Sequence, residues 1–94
     1  MGSAIISKVR TENFETWKTA YDKGEGMRRE HGVRGVMVAR DATDPNLLTI
    51  VTRFDSVAAA KAMLASDAWK ESSKNAKSPI IEAFFVDFAE EKAY

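Results

Sequence analysis

The most informative part of the sequence spans residues 13–35 and reads NFETWKTAYDKGEGMRREHGVRG. Asn13 is typical of a helix N-cap, because its side chain can accept a hydrogen bond from a backbone N–H of the first turn. Phe14, Trp17 and Tyr21 follow at helical spacing, so their side chains share one face. We therefore predict a helix whose aromatic face covers an apolar layer and forms the lid of a small pocket.

Two glycines interrupt this helical pattern. Gly24 and Gly26 each cost about 1 kcal/mol relative to alanine inside a helix, so we expect the helix to kink, end or pass close to another backbone there. The basic pair Arg28-Arg29 indicates that the helix resumes, to about Glu30. His31-Gly32 favours a C-terminal cap, because glycine adopts the left-handed conformation easily and a cation suits the last carbonyls.

Strand-like and helical segments alternate on both sides of this stretch. The strand-like segments are residues 4–10, 33–40, 47–54 and 80–88. A second helix follows the third strand, capped by Asp55 or Ser56, and a short helix that contains Trp69 restarts at Ser66-Asp67. Residues 72–78 are polar and predict a connection without regular structure.

The predicted order is therefore βαββαβ within a single domain over residues 1–94. Right-handed crossovers place both helical segments on one face of a four-stranded antiparallel sheet. This is the ferredoxin-like layout of the α+β class.

The last strand indicates that the sheet needs a second cover. Phe84 and Val86 alternate with Ala83 and Phe85, so both faces of this strand are largely apolar. The helices can cover only one face of the sheet. We therefore predict a homodimer in which a second copy packs on the other face.

Composition limits the classes of function. Lys plus Arg and Asp plus Glu balance at 14 each, which argues against nucleic acid or an acidic membrane as a partner. The chain has no cysteine, which excludes disulfides and thiolate chemistry and fits a reducing compartment. We find neither a membrane-length apolar run nor a signal-peptide pattern, and we expect a cytoplasmic protein.

Several segments resemble the dimeric α+β barrel superfamily, which includes antibiotic-biosynthesis monooxygenases, stress-responsive barrel proteins and muconolactone isomerases. The resemblance covers nearly the whole chain and rests on the following segments: Asn13 to Lys18, His31-Gly32-Val33, Arg40-Asp41 with Asp44-Pro45-Asn46, Phe54-Asp55-Ser56, and Ser66 to Trp69. It implies cofactor-independent oxygenation, cyclisation or isomerisation, with electrons for oxygenation supplied by the substrate. Members share architecture and not catalytic residues, so the resemblance is specific for the fold and weak for the reaction.

The candidate site residues lie mainly on the first helix. Tyr21 and His31 are the catalytic candidates, with His31 as the proton acceptor. The candidates for substrate binding are Phe14, Trp17, Arg40 and Trp69. The structural alternatives are that Trp17 and Tyr21 anchor their helix to the core and that His31 interacts with the terminal carbonyls of its helix.

A metal site is not expected. Asp41, Asp44 and Asn46 cluster in a turn, but their spacing does not follow the calcium-loop pattern. The remaining polar candidates, which either reach a pocket or hold two sheets in register, are Ser7, Arg40, Thr49, Arg53 and Glu82.

The sequence thus predicts a small homodimeric protein that binds, and transforms without a cofactor, a small hydrophobic or aromatic molecule. If it is an enzyme, it is a monooxygenase or a cyclase or isomerase. The alternative is a non-catalytic ligand-binding or structural dimer module, which the lack of a recognisable catalytic constellation favours.

Overall fold

The computed structural model describes residues 2–76 and 79–94 and has the predicted order of strands and helices. The strands are β1 (Ser3–Arg10), β2 (Gly35–Arg40), β3 (Leu47–Phe54) and β4 (Ile80–Asp87). The helices are α1 (Phe14–Asp22), α2 (Glu25–Glu30), α3 (Val57–Ala65) and α4 (Asp67–Ala76).

The four strands form one antiparallel sheet in the order β2-β3-β1-β4. The two strands at its centre are the first and the third in the chain, as the ferredoxin-like layout requires. Ile6 of β1 lies opposite both Val51 of β3 and Phe84 of β4, and this register assigns every strand residue to one of the two faces. The predicted fold class is confirmed.

Local side-chain chemistry explains where the helices begin and end. Asn13 caps α1 by accepting a hydrogen bond from the Thr16 N–H, as predicted. Ser56 caps α3 in the same way, while the neighbouring Asp55 pairs with Arg34. The break between α1 and α2 falls at the predicted glycine, and α2 ends at His31 before Gly32, whose φ is +86°.

Several predicted boundaries were wrong, including that of β1, which begins at Ser3 instead of residue 4. β2 begins at Gly35 instead of residue 33, and β4 ends one residue before Phe88. The polar segment that begins at Ser72 is not an irregular connection, because α4 continues through it to Ala76; Lys77 and Ser78 lie outside the described residues. The hydroxyl of Ser66 accepts from the Trp69 N–H and starts this helix, and Trp69 on its inner face holds it against the core.

The core consists of two apolar clusters on the helix-covered face of the sheet. One cluster contains Ile5, Phe54, Ala60 and Met63. The other contains Val9, Trp17, Leu48 and Ile50. Both clusters combine odd-numbered residues of β1 with even-numbered residues of β3, so the helices all pack on the same side.

The opposite face of the sheet carries an apolar row. Met37, Val51, Ile6 and Phe84 lie side by side across the four strands. Met37 is 64% exposed and Phe84 is 48% exposed. We call these four residues the open-face row.

Candidate functional site

A cavity of about 270 Å³ lies between the helices and the covered face of the sheet. Most of its walls are apolar. The aromatic and polar residues of its lining are Ser7, Trp17, Tyr21, Arg28, Thr52, Trp69, Ser72 and Ser73. Its volume is near the lower end of the range of roughly 300–1,000 Å³ that is usual for small-molecule sites, so it suits a small ligand.

An aromatic stack on α1 forms one wall of the cavity. The rings of Trp17 and Tyr21 are stacked with 4.7 Å between their centroids and 20° between their planes. Trp17 is 4% exposed and belongs to the core, so it both anchors the helix and lines the cavity. Trp69 of α4 lines the cavity as well. Aromatic side chains of this kind favour contact with an aromatic ring of a ligand.

The Tyr21 hydroxyl is buried and has no hydrogen-bond partner among the described residues. Burial raises the pKa of the Tyr21 phenol above its ordinary value of 10.0, with Arg28 opposing this effect and Asp22 adding to it. Tyr21 is therefore protonated at neutral pH. In this state its O–H can donate a hydrogen bond to a group that comes within reach.

Arg28 of α2 is a buried cation in the cavity wall. Only 8% of the residue is exposed, and its guanidinium carbon lies 3.8 Å from the centroid of the Tyr21 ring. None of the ion pairs that the described residues form includes Arg28. The cation–π contact stabilises the guanidinium from one side and leaves its N–H groups without a carboxylate.

Four hydroxyl side chains complete the polar part of the lining. Ser7 and Thr52 are buried on the floor of the cavity, on neighbouring strands of the sheet. Ser72 and Ser73 lie on α4. The cavity thus combines apolar walls with hydroxyls and one guanidinium, and its described lining contains no carboxylate and no imidazole.

The predicted residues divide into two groups by position. Tyr21, Trp17 and Trp69 line the cavity together. Phe14 and Arg40 do not line it: Arg40 lies over the Phe14 ring at 4.2 Å from the ring centroid and donates to the Pro45 carbonyl. They form a contact at the start of α1 instead.

His31 also lies outside the cavity lining. It is the C-cap of α2, and its Nδ1 is 2.9 Å from the Met27 carbonyl oxygen. This geometry matches the alternative of a helix-end histidine that interacts with terminal carbonyls. The predicted role of His31 as proton acceptor stays a prediction, and its position does not support it.

Sequence reasoning missed Arg28. The signal was present in the spacing, because Trp17, Tyr21 and Arg28 recur at intervals of four and seven residues. The glycine break at Gly24 hid this common face by dividing the helix in two. Thr52 was missed as well, because an alternating strand pattern does not reveal which polar residue faces a cavity.

The described part of the chain has neither a metal-binding cluster nor a membrane-spanning helix. Residues 2–76 and 79–94 include no cluster of three or more His, Asp or Glu side chains that could hold a metal ion. Within the same ranges, no helix has the length and apolar character needed to cross a membrane.

The family model for antibiotic biosynthesis monooxygenases matches residues 4–75 of the chain. The match spans most of the 94 residues and includes the cavity-lining parts of β1, α1, α2, β3, α3 and α4. The protein is therefore a member of the antibiotic biosynthesis monooxygenase family. No curated protein matches the chain by sequence.

Solved structures with the same fold include several of this family. SnoaB, a cofactor-independent oxygenase from Streptomyces nogalater, superposes with a TM-score of 0.82 at 9% identity, covering 95% of this chain and 94% of that chain. A protein of Chloroflexus aurantiacus assigned to the same family gives a TM-score of 0.73 at 18% identity, covering 99% and 98% of the two chains. A family protein of Bordetella bronchiseptica gives 0.76 at 16% identity, covering 100% of both chains. At these identities the likeness shows the fold.

Proposed function

We propose that the protein is a homodimeric, cofactor-independent monooxygenase that binds a small planar aromatic molecule in the cavity beneath α1. The observation that carries this proposal is the apolar cavity walled by the Trp17–Tyr21 stack, in a chain of the monooxygenase family. SnoaB has the same fold and is a cofactor-independent oxygenase, which supports the choice of reaction.

The residues around the cavity have separate tasks in this proposal. Trp17 and Trp69 contact the rings of the substrate and, together with the edge of Tyr21, exclude water. The Tyr21 hydroxyl and the Arg28 guanidinium donate hydrogen bonds to an oxygen of the substrate. In this reaction an activated CH₂ group of the substrate and one dioxygen molecule give a carbonyl group and water, so the substrate supplies all four electrons.

The proposal is tested with a panel of hydroxylated compounds of two or three fused rings, each of which carries an activated CH₂ group. We expect dioxygen uptake in the presence of a metal chelator, with one labelled oxygen atom from ¹⁸O₂ in the product. Ser7→Leu should lower the rate at least about tenfold, because it fills the floor of the cavity. Ala58→Leu is the control, since Ala58 is exposed on α3. Uptake that is equal in both variants would show that the reaction occurs elsewhere.

One observation favours the alternative of a ligand-binding protein without catalysis. The described cavity lining offers hydroxyls and a guanidinium but no side chain that acts as a base at neutral pH. A proton must leave the substrate during oxygenation, so this lining suits a molecule that is already ionised. Tight binding of the panel without dioxygen uptake would support the alternative.

The proposed dimer rests on the open-face row. Met37 and Phe84 are large, exposed apolar side chains on the two outer strands of the sheet, and no helix of the described residues covers that side. A second copy packed on this face would remove the row from water. We also propose that the protein works in the cytoplasm, which the lack of cysteine suits.

A further inference from the structure

We propose that Arg28 and Tyr21 form a binding site for an ionised oxygen, so that the ligand of the cavity is a planar apolar molecule bearing an oxyanion. This inference rests on the proposed function and names the class of its substrate. The oxyanion is a phenolate, enolate or carboxylate attached to a ring system.

Arg28 carries a positive charge in a buried position. An arginine guanidinium carries a positive charge and cannot accept a hydrogen bond. Arg28 is 92% buried, and no carboxylate of the described residues pairs with it. A buried charge without a counter-ion is unfavourable. An anionic group in the cavity would supply the missing partner.

The polar group next to Arg28, the Tyr21 hydroxyl, is also a hydrogen-bond donor. The Tyr21 hydroxyl is buried without a partner, and the raised pKa of the phenol keeps its proton in place. The stacking contact holds the Tyr21 ring 3.8 Å from the Arg28 guanidinium carbon. Two donors are thus adjacent, one of them charged, and an oxygen that carries negative charge is the complementary group.

Gly24 leaves space for the Arg28 side chain. A Cβ atom added to Gly24 would lie 2.9 Å from Arg28 Nη1 and 2.7 Å from Ser72 Oγ. The φ of Gly24 is −85°, which any residue can adopt, so glycine is needed here for room and not for backbone conformation. The glycine break therefore lets Arg28 and Ser72 approach each other at the cavity wall.

The test compares two probes of nearly the same shape, 2-naphthoate and its neutral analogue 2-naphthamide, by calorimetric titration at neutral pH. We expect the protein to bind the naphthoate at least about tenfold more tightly than the amide, because hydrogen bonds to charged groups contribute more than neutral ones. Arg28→Met should weaken naphthoate binding about 10- to 100-fold and change amide binding less than about threefold. Arg28→Lys should keep part of the preference.

Arg29→Met is the matched control. It removes the same charge one residue away, at a side chain that is 77% exposed. We expect it to leave both affinities within about twofold, since exposed charges act weakly over distance. If Arg28→Met does not fold, Arg28→Lys and Tyr21→Phe carry the test, and each should reduce the preference for the naphthoate.

The possible failures separate the two proposals. Equal binding of both probes, or equal losses in the Arg28 and Arg29 variants, would overturn the oxyanion site and leave the cavity proposal standing. Failure of both probes to bind would overturn both proposals.

Discussion

The aromatic ring of Tyr21 contacts two neighbouring side chains. One face of its ring stacks on Trp17, and the Arg28 guanidinium lies over the ring as well. Its hydroxyl is buried and unpaired within the described structure. A buried donor without a partner costs about 1–3 kcal/mol, so the protein gives up stability at this point and retains a polar group that is ready to bind.

Replacing Tyr21 with phenylalanine tests this reading through stability. Tyr21→Phe removes the unpaired hydroxyl and keeps the ring, so the free energy of unfolding at neutral pH should stay the same or rise by up to about 1 kcal/mol. Urea unfolding followed by circular dichroism measures this change. A loss of more than about 1 kcal/mol would mean that the hydroxyl has a stabilising partner.

The raised pKa of Tyr21 also predicts a pH dependence. As the pH rises above 10.0, the unfolded chain loses the Tyr21 proton before the folded chain does. The unfolded state then binds fewer protons than the native state, so stability falls with rising pH in this range. The stability of Tyr21→Phe should fall less steeply above about pH 10, whereas that of Tyr94→Phe, at a fully exposed tyrosine, should match the parent protein. If the free energy of unfolding fell equally with pH in all three proteins, the raised pKa of Tyr21 would be contradicted.

The aromatic residues of the site could be predicted from the sequence, whereas Arg28 could not. Trp17 and Tyr21 follow a clear helical period. The burial of Arg28 depends on the α1–α2 break and on the approach of α4, and these are tertiary features that a helix pattern does not contain. His31 was attractive as the sole histidine, yet its place at the end of α2 directs it to a backbone carbonyl.

At the scale of elements, the segment from α1 to the end of α2 depends on three glycines with different roles. Gly24 is buried next to Arg28, Gly26 lies inside α2 with open space around it, and Gly32 has a positive φ after the helix. Their sequence context alone does not separate these roles. The structure therefore predicts three different outcomes for the same substitution.

The first pair of outcomes concerns stability. Gly26→Ala should stabilise the protein by about 0.5–1 kcal/mol, because alanine loses less backbone freedom in a helix and meets no atom there. Gly32→Ala should destabilise it by about 1 kcal/mol, because the left-handed conformation is unfavourable for a residue with a Cβ atom. Chemical denaturation measures both. The same sign for both variants would contradict the assigned helix boundary.

Gly24→Ala concerns the cavity. Its Cβ would displace Arg28 and Ser72, so the affinity for 2-naphthoate should fall at least about fivefold, a loss of about 1 kcal/mol. Gly26→Ala is the control with the same chemical change two residues away. Calorimetric titration compares them. Equal affinities in the two variants would mean that Gly24 does not shape the site.

Prediction of the elements succeeded where the side-chain pattern was strong. β3 has the predicted bounds, because β-branched and apolar residues dominate it and turn and cap residues flank it. The second half of α4 was missed, because Lys, Ser and Asn dominate it and its contact with the core comes from Trp69 in the first turn. A polar helix of this kind owes its stability to tertiary packing more than to its own composition.

At the scale of the whole molecule, the two faces of the sheet have different occupants. The helices cover one face and enclose the cavity, while the open-face row lies on the other. An exposed apolar surface across all four strands is unusual for a monomer. The sequence already indicated this through the apolar residues on both sides of β4, although it could not identify Met37 and Phe84 as members of one row.

Phe84 and Phe85 provide a matched test of the dimer. Phe84 belongs to the open-face row, whereas Phe85 lies on the helix side near Lys61. Phe84→Glu should give a monomer in sedimentation velocity at tens of micromolar, because a carboxylate would be buried in the interface at a cost of several kcal/mol. Phe85→Glu should remain a dimer. A monomeric parent protein, or a monomer in both variants, would contradict the proposed interface.

The central claim is that the cavity beneath α1 holds a planar molecule whose oxyanion is bound by Arg28 and Tyr21. A crystal structure of the protein with 2-naphthoate tests it most directly. We predict the naphthalene ring between the aromatic wall and the sheet, with carboxylate oxygens about 3 Å from the Arg28 guanidinium and the Tyr21 hydroxyl. A cavity that is closed by its own side chains, or a naphthoate bound elsewhere, would contradict the claim.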